Sequence, residues 1–315
     1  MKLVSSSLFA RLRISAFSNC GNLGKFCVAI LVFSCGVFAD AKRADFDGDG
    51  RTDIGIYRPT VQTWFILPGS GSYFSYTASW SGTANPCLGD FNNDGATDFP
   101  DATPPGNHPW SFGRMPPRRE PISADRAVCG DYDGDHRSDT AYWASSGVWL
   151  ITLAAHSTEM MVNWGTAGDL PVADDYDGDG RVDIAVYRPS NGKWYILFSS
   201  SGEAVVVQWG ANADKPVFAD YDGDGRAEIA VYRPSDGNWY MLTSRSNWTQ
   251  YNIVNWGITG DVPVPGDYDG DGKYDVAQYR PSNGYWFVVP SNGTQIQTIQ
   301  WGAETDIPAP AMYLP

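Results

Sequence analysis

The stretch Asp175-Tyr-Asp-Gly-Asp-Gly-Arg-Val-Asp183 places carboxylates at loop positions 1, 3, 5 and 9, with Gly180 at position 6. Four carboxylates this close repel one another unless a cation lies among them. A donor set made only of oxygens suits a hard ion, calcium before others. The glycine permits the sharp turn that points the carbonyl of Arg181 inward. An EF-hand opens in the same way but closes with a bidentate Glu at position 12, between two helices. Here position 12 is Val186, and Ile184-Ala-Val-Tyr187 has the β-branched and aromatic character of a strand. The stretch therefore predicts a calcium loop between two β-strands.

The same loop occurs six times, starting at Asp45, Asp90, Asp131, Asp175, Asp220 and Asp267, with separations of 45, 41, 44, 45 and 47 residues. The candidate ligands are Asp45, Asp47, Asp49 and Asp53 in loop one, and Asp90, Asn92, Asp94 and Asp98 in loop two. Loop three offers Asp131, Asp133, Asp135 and Asp139, and loop four Asp175, Asp177, Asp179 and Asp183. Loop five has Asp220, Asp222, Asp224 and Glu228, and loop six Asp267, Asp269, Asp271 and Asp275. Up to six structural calcium ions are expected. In loop three His136 replaces the glycine of position 6, which requires a left-handed backbone and predicts a weaker site rather than a histidine ligand.

Self-similarity at this period means a solenoid, a propeller or an array. Around loop four the strands are expected near Leu170–Asp174, Ile184–Arg188, Trp194–Phe198 and Ala204–Trp209, the middle pair joined by the turn Pro189-Ser-Asn-Gly192. Units of four short strands predict an all-β fold, a β-propeller of six four-stranded blades of about 45 residues. The second unit, 86–126, is degenerate: Pro100, Pro104, Pro105, Pro109, Pro116, Pro117 and Pro121 demote its strands, and Arg114, Arg118 and Arg119 form a small basic cluster. At the other end, residues 307–313 match the start of a blade but have no loop after them. Pairing this spare strand into blade one would close the ring by strand exchange between the termini and remove an open edge. Seven blades, one assembled from both ends, is the alternative.

The formal charge is −14, and 23 of the 36 acidic residues lie in the loops. No basic stripe is present, so no nucleic-acid partner is expected. Residues 1–39 read as a signal peptide, with Lys2, Arg11, Arg13 and Lys25 ahead of the apolar run Phe26–Ala39. An uncleaved anchor is the alternative. Cleavage after Ala39 would leave a propeller of residues 40–315, without a membrane span, secreted or at the cell surface and monomeric. Cys87 and Cys129 then remain, each just before a loop; a disulfide is permitted, and two small buried side chains are the alternative.

Trp209-Gly210, Pro216-Val217 and the loop Asp220–Glu228 together resemble the FG-GAP repeat of integrin α-chain propellers, also known as the VCBS repeat of bacterial surface and secreted proteins. The resemblance extends over 41–313 and is weakest over 99–128. It implies a propeller with calcium held by loops on one face, through the side chains at positions 1, 3, 5 and 9. Such repeats serve in adhesion, sugar binding and as accessory modules, and a few related propellers are lectins or polysaccharide lyases.

No catalytic constellation is expected. His108, His136 and His156 are scattered, and no motif marks a nucleophile with its base. The expected function is non-catalytic binding in adhesion or carbohydrate recognition, with a glycan or surface protein as partner. A lyase-like enzyme acting on polysaccharides, or a purely structural surface module, are the alternatives. Trp64, Trp149, Trp194, Trp239 and Trp286, and Trp164, Trp209, Trp256 and Trp301, recur at fixed positions and are read as packing between blades. Trp80, Trp110, Trp143 and Trp248 break the pattern and are candidates for stacking on sugars. Arg58, Arg188, Arg233 and Arg280 recur in Tyr-Arg-Pro and are expected to pair with a carboxylate or stack on an aromatic ring.

Overall fold

The computed structural model describes residues 43–69, 73–77, 86–99, 126–154 and 158–313. The predicted leader 1–39, the proline-rich stretch with its basic cluster, and Trp80, Trp110, His108 and His156 lie outside these residues.

The first blade holds β1 (Ile54–Arg58), β2 (Thr63–Leu67) and β3 (Phe74–Thr77). The blade of loop three holds β4 (Arg126–Ala127), β5 (Thr140–Ala144), β6 (Val148–Leu153) and β7 (Thr158–Asn163). That of loop four holds β8 (Leu170–Pro171), β9 (Ile184–Arg188), β10 (Lys193–Leu197) and β11 (Ala204–Gln208). That of loop five holds β12 (Lys215–Pro216), β13 (Ile229–Arg233), β14 (Asn238–Leu242) and β15 (Tyr251–Asn255). That of loop six holds β16 (Val262–Pro263), β17 (Val276–Arg280), β18 (Tyr285–Val289) and β19 (Gln297–Gln300). Finally β20 (Ile307–Pro308) joins the first blade, giving the order β20-β1-β2-β3.

The fold is thus an all-β propeller with antiparallel blades, closed by strand exchange between the two ends of the repeat region. The expectation of six, or seven, four-stranded blades is corrected: the structure has five such blades among the described residues. The second unit supplies its loop and the Gly89–Asp98 bridge, but no four-stranded sheet among the described residues. The proline-rich stretch expected to carry its other strands lies outside the described residues. The exchanged strand is also shorter than 307–313. It pairs only Ile56 with Pro308 and Tyr57 with Ile307, and Ala309–Tyr313 turns into a 3₁₀ segment.

The third strand of each blade carries a buried tryptophan. Trp64, Trp149, Trp194, Trp239 and Trp286 are at most 1% exposed. The indole N–H of Trp194 donates to the carbonyl of Trp209 at 2.7 Å, and Trp209 donates in turn to the carbonyl of Tyr240 in the next blade at 3.0 Å. The same relay runs from Trp286 through Trp301 to the carbonyl of Phe65, across the junction of the last blade and the first. These tryptophans are packing residues, as their regular spacing implies. Burying such rings supplies much of the apolar driving force between blades. Trp143 is also buried, at 2% exposure, which removes it as a sugar platform. It occupies in β5 the place that Tyr187 holds in β9.

The Tyr-Arg-Pro arginines lock each blade to its own first strand. Arg188, Arg233 and Arg280 make two-pronged pairs with the buried carboxylates of Asp169, Asp214 and Asp261 at 2.7–2.9 Å, each partner 19 residues earlier. Arg58 makes the same pair with Asp306, from the opposite end of the chain. Their guanidinium groups also lie over Tyr195, Tyr240, Phe287 and Phe65. Cys87 and Cys129 form a disulfide with Cα atoms 5.6 Å apart, joining the second unit to the third. Among the described residues no helix is long and apolar enough to cross a membrane.

Candidate metal centre

The six loops lie side by side and are stitched into a ring. The N–H of position 8 in each loop donates to the carbonyl of position 1 in the preceding one. Thr97 donates to Asp45, Ser138 to Asp90, Val182 to Asp131, Ala227 to Asp175 and Tyr274 to Asp220, and Thr52 closes the circle on Asp267, all at 2.5–2.8 Å. Loop two is therefore a full member of the ring. Residues of loops two to six line a cavity of about 320 Å³ on its axis. Arg43 reaches into this cavity and spans three units: it pairs with Asp174 at 2.5 Å, donates to the carbonyl of Phe218 at 3.1 Å, and lies over the rings of Phe218 and Tyr274.

Each loop is built around the carboxylates of positions 1 and 9, both buried except for Asp175 and Asp220, which are half-buried. Position 1 accepts amides of its own loop: Asp175 accepts N–H groups of Gly178 and Gly180 at 2.6 and 2.8 Å. Gly178 and Gly180 both have positive φ, the conformation that brings these amides inward. His136 holds the same position at φ 65°, so loop three takes the left-handed turn without glycine. Position 9 accepts the N–H of position 2 on one oxygen and an N–H from the β-hairpin above on the other. For Asp183 these donors are Tyr176 and Ser199, at 2.9 and 2.7 Å.

Acidic oxygens converge within 4.8 Å in five of the loops. The groups are Asp45, Asp47 and Asp53; Asp131, Asp133 and Asp139; Asp175, Asp177 and Asp183; Asp220, Asp222 and Glu228; and Asp267, Asp269 and Asp271. Position 5 (Asp49, Asp135, Asp179, Asp224) stands outside the group in four loops, and Asp275 does so in loop six. Asp90, Asn92, Asp94 and Asp98 of loop two form no such acidic group among the described residues. The neutral Asn92 takes one charge from that loop.

The donor set fits a metal ion on two counts. It is all oxygen, as a hard divalent cation requires. And Asp269 Oδ2 in loop six is buried with no hydrogen-bond partner, an arrangement that is costly unless a cation faces it. Without a cation, burial pushes Asp45, Asp175, Asp275 and Glu228 up to about 7 and Asp53 up to about 8. Asp139 and Asp183 rise to about 6 for the same reason.

These shifts set a sign. A carboxyl group raised above its unfolded value binds more protons folded than unfolded, so the metal-free fold loses stability as pH rises through the interval from about 4 to about 8. The melting midpoint of the protein in excess chelator is therefore expected to fall steadily from pH 5 to pH 8. The stabilisation gained from a divalent cation is expected to grow over the same range, because the ligands must be ionised to bind it. Parallel curves with and without chelator would contradict this assignment.

Two sets of site residues were not anticipated. Ser199, Ser244 and Ser291 donate hydroxyls to Asp179, Asp224 and Asp271, in each case 20 residues after the aspartate. That constant spacing is a signal the sequence does contain. Arg245, from a longer hairpin in the blade of loop five, pairs with Asp222 at the place where the Ser200 hydroxyl donates to Asp177 in loop four.

The profile of the FG-GAP-like repeat matches residues 175–231 and 220–278. No curated protein matches the chain. Among solved structures, a streptogramin B lyase is 12% identical, covering 80% of this chain and 84% of that one, with a TM-score of 0.49. The structure of BBS1N in complex with ARL6DN, soaked with lead, is 14% identical over 78% of this chain and 77% of that one, with a TM-score of 0.45. Apo AztD from Citrobacter koseri is 10% identical over 79% and 86%, with a TM-score of 0.38.

Proposed function

Taking the FG-GAP-like repeats of a β-propeller as the premise, we propose that this chain is an exported binding module, stabilised by calcium and acting without catalysis. Calcium would be held by the converging carboxylates of loops one, three, four, five and six. The ions would hold the loop face rigid, and the rigid blades would present a recognition surface. Carbohydrate is the ligand we favour, with protein adhesion the other outcome.

The observation that carries this reading is the set of outermost strands. Met161, Val206, Tyr251 and Ile253 are 51–67% exposed on β7, β11 and β15. Tyr251 sits 5.4 Å from Trp209, and Tyr73, 65% exposed, sits 5.6 Å from Trp301. Exposed aromatic and aliphatic groups on a rigid scaffold are characteristic of binding surfaces rather than of monomer exteriors. Flat aromatic rings match the apolar C–H faces of sugars. The only described histidine, His136, is exposed in loop three.

A glycan array probed with residues 40–315, in calcium and in chelator, tests the reading. Calcium-dependent binding to one sugar class is expected. A blank array together with binding to a protein surface would replace carbohydrate with adhesion. Breakdown of a polysaccharide would overturn the non-catalytic assignment.

A further inference from the structure

Loops five and six treat the same position in opposite ways. In loop six the position 3 carboxylate, Asp269, keeps a buried oxygen without a hydrogen-bond partner. In loop five the equivalent carboxylate, Asp222, already faces a cation from its own chain. Arg245 Nε donates to Asp222 Oδ1 at 3.0 Å, and a terminal nitrogen donates to the backbone carbonyl of the same residue at 3.0 Å. Asp224 Oδ2 lies 3.9 Å from Nε. The neighbouring Ser244 hydroxyl bonds Asp224 at 3.0 Å and Glu228 at 2.6 Å. The pair Ser244-Arg245 thus touches positions 3, 5 and 9 of this one loop.

Arg245 takes the place that Ser200 holds in loop four, where the Ser200 hydroxyl donates to Asp177, and the hairpin that carries it is longer. In the blade of loop four, β10 and β11 are joined by 198–203, whereas β14 and β15 are joined by 243–250. The longer hairpin opens with a 3₁₀ turn, Ser244–Ser246, closed by Asn247 in the left-handed region. This turn lays Arg245 over the mouth of loop five. Its guanidinium remains 60% exposed, against 23% for Asp222.

Arg181 in loop four makes a superficially similar pair, with Asp179. The difference decides the matter. Asp179 stands outside the converging group of its loop, so its pair leaves the metal position alone. Asp222 belongs to the converging group of loop five. A cation entering that group is repelled at short range by the arginine, so the two compete for the carboxylate.

We propose that Arg245 is a built-in counter-cation of loop five, holding Asp222 until a calcium ion displaces it and thereby making this loop the weaker, gated member of the metal ring. The proposal rests on the calcium reading above. Because the pair is exposed, releasing it costs little. Exposed ion pairs correspond to about a two- to fivefold change in an equilibrium constant.

The test is calcium calorimetry on the full exported chain and three variants: Arg245→Met, Asp222→Asn, and both together. Methionine keeps the length and apolar stem of arginine but not its charge. Arg245→Met is expected to tighten one binding step about two- to fivefold and leave the others unchanged. Asp222→Asn is expected to abolish or strongly weaken that same step. In the Asp222→Asn background the arginine substitution is expected to change nothing, which assigns the effect to this pair. Near-ultraviolet circular dichroism of each variant checks that the fold is kept. An Arg245→Met isotherm identical to the parent, or weaker in any step, would overturn the proposal while leaving the metal ring intact. If the parent chain binds no calcium at all, the calcium reading itself fails and the gating role with it.

Discussion

Excess chelator is expected to lower the melting midpoint of this protein by more than about 20 °C. Five loops hold groups of converging carboxylates, several of them wholly or nearly buried. An ion present at a hundred times its dissociation constant stabilises the folded state by about 2.7 kcal/mol, provided the unfolded chain does not bind it. Several such ions exceed about 10 kcal/mol together, which is the size of a whole domain's net stability. For a chain of this length each kcal/mol corresponds to roughly 2–4 °C. The ring of amide-to-carbonyl bonds between loops makes the loss collective, since each position 1 residue anchors its neighbour. Differential scanning calorimetry in calcium and in chelator measures the effect. A midpoint that stays within a few degrees would sink the structural role of the ions.

The second large effect concerns Asp183. Its carboxylate is fully buried and accepts two backbone amides, from Tyr176 and Ser199. Asp183→Ala leaves both donors buried without acceptors, at about 1–3 kcal/mol each. A fall in the midpoint of roughly 10 °C is expected even in chelator, where no ion is at stake. In calcium the fall is expected to be larger, because a ligand is lost as well. Asp179→Ala is the control: it stands at the solvent edge of the same loop, outside the converging group, and is expected to cost only a few degrees. Equal effects of the two substitutions in chelator would show that position 9 has no role in the fold beyond the metal.

The sequence made the loops and the propeller legible because both are periodic. Asp at every second position, with glycine between, has few uses other than a metal loop, and the repeats are too regular for coincidence. Three of the four strands around loop four fall within a residue of their expected bounds, because β-branched and aromatic runs beside the Pro-Ser-Asn-Gly turn leave little choice. The first ends at Pro171, three residues short of the expected Asp174. The blade count was less legible. The loop of the second unit is plain in the sequence and joins the ring, whereas the stretch expected to carry the rest of its blade lies outside the described residues. The partners of the Tyr-Arg-Pro arginines were visible only as a spacing of 19 residues, which means nothing until the first strand folds back beside the second. Arg245 was not legible at all. It stands where loop four has Ser200, and a spacing of 23 residues from position 3 carries no meaning until the hairpin folds back over the loop.

Strand exchange has a consequence for the order in which the molecule can be assembled. The first blade lacks an inner strand of its own and waits for Ile307-Pro308, while Arg58 waits for Asp306 and Thr52 for the carbonyl of Asp267. Each of these contacts joins residues more than 200 positions apart. Contacts of such separation form late and slow a fold down. The blade made first is thus finished last, and until then the inner edge of β1 is open to pairing with another chain. Loss of the final dozen residues would be felt not in the last blade but in the first.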